Sequence, residues 1–435
     1  MAQELGIADA MALAVELQKQ DRLEAAAELY QRILAVAPDY PDAWHFRGLV
    51  VFKLGRLDEA ETLIRRAIDL APDYPDAHNN LGNVLQHQKR YEEAIGFHAR
   101  AIALRPDYAE AHNNLGNVLR RQKRYQEAVG CHERAIALQP DLAEAHHNLG
   151  QAYEALDQLD GALTAYRKAS LLRPYNFESY RQLGSALYGT GRIDDAADVY
   201  KKWLSLDPES GLARHLLSAC TGQAVPERTS DAAVRSIFEP FADTFDDILK
   251  KLQYRAPELV GQAAAGVMGA PAGRLDILDA GCGTGLCGEH FKPFARRLVG
   301  VDLSLEMLKQ AWMRKLYDDL ILGELTAFVG AQAAAWDLVV SADTLVYFGD
   351  LAPVMAAAAR GLRPGGHLVI TLERASETEM PQGFRINPHG RYSHTEAYVH
   401  EVLTAAHLEP RSVTPVHLRL ELKKPVEGLL VVAAR

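Results

Sequence analysis

Cysteine is scarce: four residues (Cys131, Cys220, Cys282 and Cys287) in a chain of 435 do not make a disulfide framework, so a reducing cytoplasm is the expected compartment. No stretch approaches the roughly 20 consecutive apolar residues that a bilayer crossing requires, and no membrane span is expected. The opening MAQELGIADAMALAVELQKQD scatters charge through its apolar positions, so a secretory leader is not expected either. Basic residues are in deficit, 47 Lys plus Arg against 57 Asp plus Glu for a formal net charge of −10, which argues against nucleic acid as the main partner. Apolar side chains are not lacking. Hydrophobic residues make up 48% and charged residues 24%, ordinary values for globular proteins, and at about 150 residues per domain the length suggests two or three domains.

The first half repeats itself. Gly48, Gly82, Gly116, Gly150 and Gly184 are spaced by 34 residues, and each is followed by an alanine twelve residues on (Ala60, Ala94, Ala128, Ala162, Ala196) and a proline twenty-four on (Pro72, Pro106, Pro140, Pro174, Pro208). An earlier unit keeps the frame through Ala14, Ala26 and Pro38. Small residues let two helices cross closely, and proline stops the second helix of each pair because it lacks an amide hydrogen and clashes with the preceding turn. The pattern predicts six helical hairpins over residues 7–210, and it resembles the tetratricopeptide repeat, which stacks into a solenoid with a concave face.

Two residues before the glycines stand Phe46, Asn80, Asn114, Asn148 and Gln182, an amide ladder through the middle repeats. A carboxamide both donates and accepts, so Asn80, Asn114 and Asn148 are candidate peptide-binding residues. In the protein O-glycosyltransferase arrays that these units resemble, such a ladder holds an extended polypeptide. The alternative is that these amides are solvated or bond neighbouring helices. His78, His112 and His146, four before the glycines, take positions held elsewhere by Trp44 and Tyr180, and read as inter-helix packing.

The periodicity ends after Pro208. GLARHLLSACTG reads as a capping helix, AVPERTSD as a polar linker, and residues 211–230 separate the array from a second domain over 231–435. There the pattern becomes short apolar runs (RLDILDAG, RRLVGVDL, WDLVVSAD, GGHLVITLE, VHLRLELK, GLLVVAAR) alternating with helical stretches. This predicts an α/β Rossmann-like fold with a mainly parallel sheet, closed by an antiparallel hairpin around KPVE.

At the end of the first run lies Asp279-Ala-Gly281-Cys282-Gly283-Thr-Gly285, and Asp302 ends the second run. Glycines let a backbone turn sharply and approach a nucleoside, and a carboxylate at the next strand tip can accept from both ribose hydroxyls. The dinucleotide spacing fails at Leu286. The GxGxG form, Asp302, VVSADTLVYFGD and LRPGGHLVI together resemble the class I S-adenosylmethionine-dependent methyltransferases over about residues 232–435.

That resemblance implies roles. Asp279 and the Gly281, Cys282, Gly283, Gly285 loop would hold the aminocarboxypropyl end of S-adenosylmethionine. Asp302 would take the ribose, and Leu303, Met307, Glu324 and Leu325 would border the adenine. Ser341, Ala342 and Asp343 would face the sulfonium and the acceptor. Phe238, Phe241, Phe245 and Tyr254, on the segment before the sheet, look like the helical lid of small-molecule methyltransferases, with Tyr254 a candidate cation–π contact. Cys282 and Cys287 lack metal-binding spacing and read as packing residues, with no metal expected.

If the acceptor bears a proton, a base must remove it. The insert ERASETEMPQGFRINPHGRYSHTEAYVHEVL is rich in polar rings, and histidine titrates near neutrality, so His394 and then His389 are the expected bases, with Tyr347 and Asp343 as orienting groups. Ser393 or Thr395 is the expected cap of the helix that follows. The chain thus reads as a methyltransferase whose repeats recruit a polypeptide substrate or carrier protein. The alternatives are methylation of a small metabolite, with repeats used for docking or self-association, and a non-catalytic cofactor-binding adaptor.

Overall fold

A computed structural model of the chain describes residues 6–376, 382–421 and 424–435. Part of the polar insert (377–381) and the turn of the expected closing hairpin (422–423) therefore lie outside the described residues. By contacts the chain divides into two compact units, Met1–Ala186 and Leu187–Arg435.

Six helical hairpins appear as expected: α1 (Ile7–Lys19) with α2 (Leu23–Val36), α3 (Pro41–Lys53) with α4 (Leu57–Leu70), α5 (Pro75–His87) with α6 (Tyr91–Leu104), α7 (Ala109–Arg121) with α8 (Tyr125–Leu138), α9 (Ala143–Ala155) with α10 (Leu159–Leu172), and α11 (Phe177–Gly189) with α12 (Ile193–Leu206). Each hairpin turns through one left-handed residue, and these too recur every 34 positions: Asp21, Gly55, Lys89, Lys123, Asp157 and Gly191. The glycine of each first helix marks a close crossing. A Cβ on Gly82 would lie 2.6 Å from the His98 ring, and one on Gly116 would lie 2.6 Å from His132.

Polar links repeat with the same period. His98 and His132 are fully buried; each directs Nδ1 at a carboxamide oxygen, Asn79 and Asn113 respectively, at 3.0 Å. A ring nitrogen facing a carbonyl-type oxygen must carry the hydrogen, so both rings donate there, and burial, which lowers them to about 4 and about 3, keeps them neutral near pH 7. His78, His112 and His146 point Nε2 at the carbonyls of Pro72, Pro106 and Pro140 at 2.8, 3.2 and 3.0 Å, as the Trp44 indole does at Pro38, 2.8 Å away. They tie each first helix back to the proline that ended the previous one.

The unit boundary falls within α11, so α12 and a following helix α13 (Gly211–Thr221) belong to the second unit. Next come α14 (Asp231–Phe238), a 3₁₀ turn (Glu239–Thr244), α15 (Phe245–Lys251) and α16 (Ala256–Met268). The sheet follows: β1 (Leu275–Ala280), α17 (Gly288–Phe291), β2 (Ala295–Asp302), α18 (Leu305–Met313), β3 (Asp319–Leu322), α19 (Leu325–Gly330), β4 (Trp336–Ser341), α20 (Ala352–Gly361) and β5 (Leu362–Arg374). A short hairpin, β6 (Phe384–Ile386) and β7 (Tyr392–His394), then α21 (Glu396–Ala405), β8 (Glu409–Glu421) and β9 (Lys424–Ala434) complete it.

Strands β3, β2, β1, β4 and β5 are neighbours in that order and parallel. Strand β9 pairs antiparallel with β5 and with β8, and β7 pairs with the last two residues of β5. Consecutive residues serve opposite faces: Leu278 packs with Val301, Ile370 and Met355, whereas Ile277 packs with Leu298, Val340 and Phe291. Burial on both faces is why these strands read as unbroken apolar runs. Where a parallel sheet reverses its strand order, here between β1 and β4, the crevice beyond the carboxyl ends of the strands is the usual ligand position.

Candidate active site

A cavity of ≈ 230 Å³ lies over those strand ends. Its floor is the loop leaving β1, where Gly281, Gly283 and Gly285 have φ of +81°, +53° and +84°, a region that L side chains rarely adopt. At Gly281 a Cβ would also strike Thr344, 2.3 Å away. The Gly283 amide donates to Asp302 Oδ2 at 2.9 Å, and the Ser304 amide donates to Asp302 Oδ1 at 2.8 Å. Burial raises the Asp302 carboxyl above its ordinary pKa, and those amides oppose the shift.

Asp279 sits beneath the loop, 1% exposed. Its Oδ2 accepts from the Tyr317 hydroxyl at 2.6 Å, while its Oδ1 has no hydrogen-bond partner. Burial pushes the carboxyl up to about 7. An unpaired buried carboxyl oxygen is costly; neither Asp279 nor Gly285 is among the residues that line the cavity.

Leu303, Met307 and Leu325 line one end of the cavity. Glu324 lines it too, but its oxygens accept from the amides of Thr326 (3.0 Å) and Ala327 (2.7 Å), capping α19. Each oxygen of this acid, expected at the adenine amino group, thus accepts one amide of a helix N-terminus and keeps a further lone pair. Ser341 departs from expectation: buried, it donates Oγ–H to the Ala280 carbonyl at 2.7 Å, tying β4 to β1, and Ala342 and Asp343 line the cavity in its place. Cys282 lines the cavity and packs over Gly300, and among the described residues no group of histidines, cysteines and carboxylates is arranged to hold a metal.

The segment before the sheet covers the cavity with Phe238, Phe245, Ile248, Leu249 and Tyr254; Phe241 is not among the lining residues. The cover is latched to the glycine loop. Thr284, between Gly283 and Gly285, donates to Asp246 Oδ1 on α15 at 2.6 Å, and Arg314 donates Nε–H to the Thr284 carbonyl at 2.7 Å while pairing with Asp246. Phe238 meets the ring of Tyr347 edge-on, 5.5 Å between centroids.

The far end of the cavity carries a charged cluster of which the sequence reading named Asp343 alone. Arg419 of β8 donates to both Asp343 oxygens, at 2.9 and 2.7 Å, and pairs with Glu373 of β5; Arg391 donates Nε–H to Glu373 at 2.8 Å and pairs with Glu421. Arg391, Arg419, Asp343 and Tyr347 line the cavity. Asp343 holds φ of +57°, a conformation unusual for a residue with a Cβ and most often kept at functional positions. Burial raises its carboxyl although Arg419 stands beside it, and burial also pushes the Tyr347 phenol up to about 12.

Neither expected histidine base lines the cavity. His394 is fully buried in β7, with Nε2 3.0 Å from the Gly349 carbonyl and its ring stacked on Tyr398. Burial lowers its pKa to about 4. His389 accepts at Nδ1 from the Arg391 amide at 3.2 Å, and burial together with Arg391 lowers it to about 3. Both are structural rings. Thr395, not Ser393, caps α21 by accepting from the Tyr398 amide.

In the repeat unit, Asn80 donates to His45 Nε2 at 2.9 Å, Asn114 to Asn79 Oδ1 at 3.1 Å and Asn148 to Asn113 Oδ1 at 3.1 Å. The amide nitrogens of the ladder join successive repeats, the alternative set out above.

Comparison with known proteins agrees with both halves. Tetratricopeptide repeat models match residues 73–141 and 107–173, and 11–75 and 147–211; a methyltransferase domain model matches residues 278–370. The chain carries tetratricopeptide repeats followed by a methyltransferase domain. It is similar to the malonyl-[acyl-carrier protein] O-methyltransferase of Yersinia pestis, 26% identical over 164 residues, 37% of this chain and 58% of that protein. It is also similar to the ubiquinone biosynthesis O-methyltransferase of Thiobacillus denitrificans, 32% identical over 115 residues, 25% of this chain and 49% of that protein. The chain thus spans less than two thirds of the length of these relatives. Among solved structures PilW, a type IV pilus biogenesis factor, covers 48% of this chain and 96% of its own at 21% identity and a TM-score of 0.44. No helix among the described residues is long and apolar enough to cross a membrane.

Proposed function

We propose that the second unit transfers the methyl group of S-adenosylmethionine to an oxygen acceptor, and that the repeat array recruits the polypeptide that is, or carries, that acceptor. The observation that carries the reading is a cavity over the carboxyl ends of the strands, lined by the left-handed glycines Gly281 and Gly283 and by Asp302. The glycine backbone would admit the aminocarboxypropyl end, and the Asp279 carboxyl beneath the loop, with Oδ1 unpaired, would answer its ammonium. Asp302, with lone pairs beyond the two amides it already accepts, takes the ribose hydroxyls; Leu303, Met307 and Leu325 flank the adenine, and Cys282 packs the loop. Ala342, Asp343 and Tyr254 border the sulfonium.

S-adenosylmethionine supplies an electrophilic methyl carbon for in-line displacement. The residues of this chain supply position, a large share of such a barrier, and the aromatic cover excludes water. Asp343, the cavity-lining carboxylate at the acceptor end, takes the proton of a hydroxyl acceptor, with Tyr347 orienting it. An acceptor that is already an anion needs no base. That both compared enzymes are O-methyltransferases by name supports oxygen as the acceptor.

The cover over the cavity favours a small reacting group, either a free metabolite or a group on a flexible arm of a recruited protein. Two measurements test the reading. Calorimetry with S-adenosylmethionine on the intact chain must show binding; no heat and no rise in melting temperature would sink it. Incubation of cell extract with methyl-labelled cofactor then separates the acceptors, label in macromolecules supporting recruitment and label in the small-molecule fraction supporting a metabolite.

A further inference from the structure

Arg391 enters the cavity from the turn between β6 and β7, and its neighbours on both sides are held by residues that precede the sheet. His215, on α13 and 3% exposed, points Nε2 at the Gly390 carbonyl 2.7 Å away, so the ring donates there. Gly390 has φ of +88°, and a Cβ on it would lie 3.3 Å from His215 Nε2. On the other side Tyr392, fully buried, donates its hydroxyl to the Pro226 carbonyl at 2.7 Å, and its ring lies 6.2 Å from that of His215. Ala219 and Val225 pack with Ile386 and Tyr392 in one apolar cluster. The segment from α13 to Pro226 thus grips residues 390 and 392, leaving Arg391 to point inward between them.

We infer that His215 is a positioning residue for methyl transfer: by fixing Gly390 it sets where Arg391 stands at the acceptor end, so the helix that follows the last repeat is part of that site. The inference rests on the methyl-transfer reading. It concerns the acceptor end; His215 Nε2 also lies 3.4 Å from Oγ1 of Thr229, another residue that lines the cavity.

The test uses the full chain, methyl-labelled S-adenosylmethionine and a serially diluted cell extract as acceptor source. For His215→Ala the extract concentration giving half-maximal transfer rises about tenfold, with cofactor affinity by calorimetry unchanged. His215→Gln, whose amide can donate to the same carbonyl, restores most of that loss. In a double-mutant cycle with Arg391→Met the two effects do not add, since one acts through the other. Additive effects, or a His215→Ala chain with wild-type half-saturation, would overturn the inference. A chain that binds no cofactor or transfers no label fails the methyl-transfer reading instead. The positioning claim is then decided by amide hydrogen exchange: faster exchange over Asn387–Tyr392 in His215→Ala, with Gly281–Gly285 unaltered, supports it, and equal exchange overturns it.

Discussion

Buried polar groups behave differently in the two units. In the repeats they form a periodic series, Asn114 donating to Asn79 and Asn148 to Asn113 of the preceding repeat, with His98 and His132 directing Nδ1 at the same oxygens and leaving Nε2 of each ring without a partner. In the second unit they occur once each, and Asp279 keeps an oxygen unanswered beneath the glycine loop. Periodic polarity joins one repeat to the next; the solitary acid beneath the loop has no such counterpart.

The sharpest way to break this contrast is Asp302→Ala. Removing hydrogen bonds to a charged group costs about 1.5–3 kcal/mol, so calorimetry should show S-adenosylmethionine binding about 100-fold more weakly, with the melting of the repeats unmoved. Equal affinity would detach Asp302 from the ribose.

Asp279→Asn probes the unsatisfied group. A carboxyl whose folded pKa is raised to about 7 is stable in its neutral form, and that contribution is lost as pH rises from the ordinary carboxylate range through 7. The asparagine chain should therefore be more stable than wild type at pH 8, by about 1–3 kcal/mol, in the absence of cofactor, and bind cofactor less well. A variant less stable at that pH would show that the free oxygen is not a burden.

Buried histidines extend the contrast to acid. Burial lowers His45 and His98 to about 4 and His132 to about 3. Their contribution is complete above the unfolded pKa of 6.5 and is lost as pH falls toward the folded values, because the unfolded chain takes up protons first. The loss approaches about 1.4 kcal/mol per pH unit for each ring. Replacing His98 and His132 by isoleucine, the residue found at the matching Ile64, should flatten the fall in melting temperature between pH 6.5 and 4.5; an unchanged slope counts against neutral rings. A smaller effect, about 0.5–1 kcal/mol of added stability in a denaturant titration, is expected of Lys89→Gly, because Lys89 holds φ of +62° where Gly55 and Gly191 stand in other repeats. The smallest is His394→Gln: transfer at neutral pH should stay within about threefold of wild type, and a hundredfold loss would return this ring to the chemistry.

What could be read without coordinates follows the same division. Glycine, alanine and proline at a period of 34 declare helix crossings and helix ends, and helical hairpins form there. The same arithmetic carried sixteen residues past each of the first four glycines finds Ile64, His98, His132 and Tyr166, the side chains that fill the crossings. The glycine loop and Asp302 are local to two consecutive strands, so their spacing betrays them. Arg391, Arg419 and Glu373 come from β7 and its turn, β8 and β5, and only the strand order brings them to Asp343. His394 reads as a base because the insert around it is polar, whereas β6 and β7 pair there and bury the ring. Of the charges at the substrate end only Asp343, local to the β4 tip, was legible.

The identity of successive links in the array has an evolutionary corollary. Because Asn148 meets Asn113 just as Asn114 meets Asn79, excising one 34-residue module in frame would present Asn148 to Asn79 and re-form the same joint. Such a solenoid can gain or shed length by unequal recombination without inventing a new interface, so its reach can be retuned while the enzyme it accompanies stays as it is.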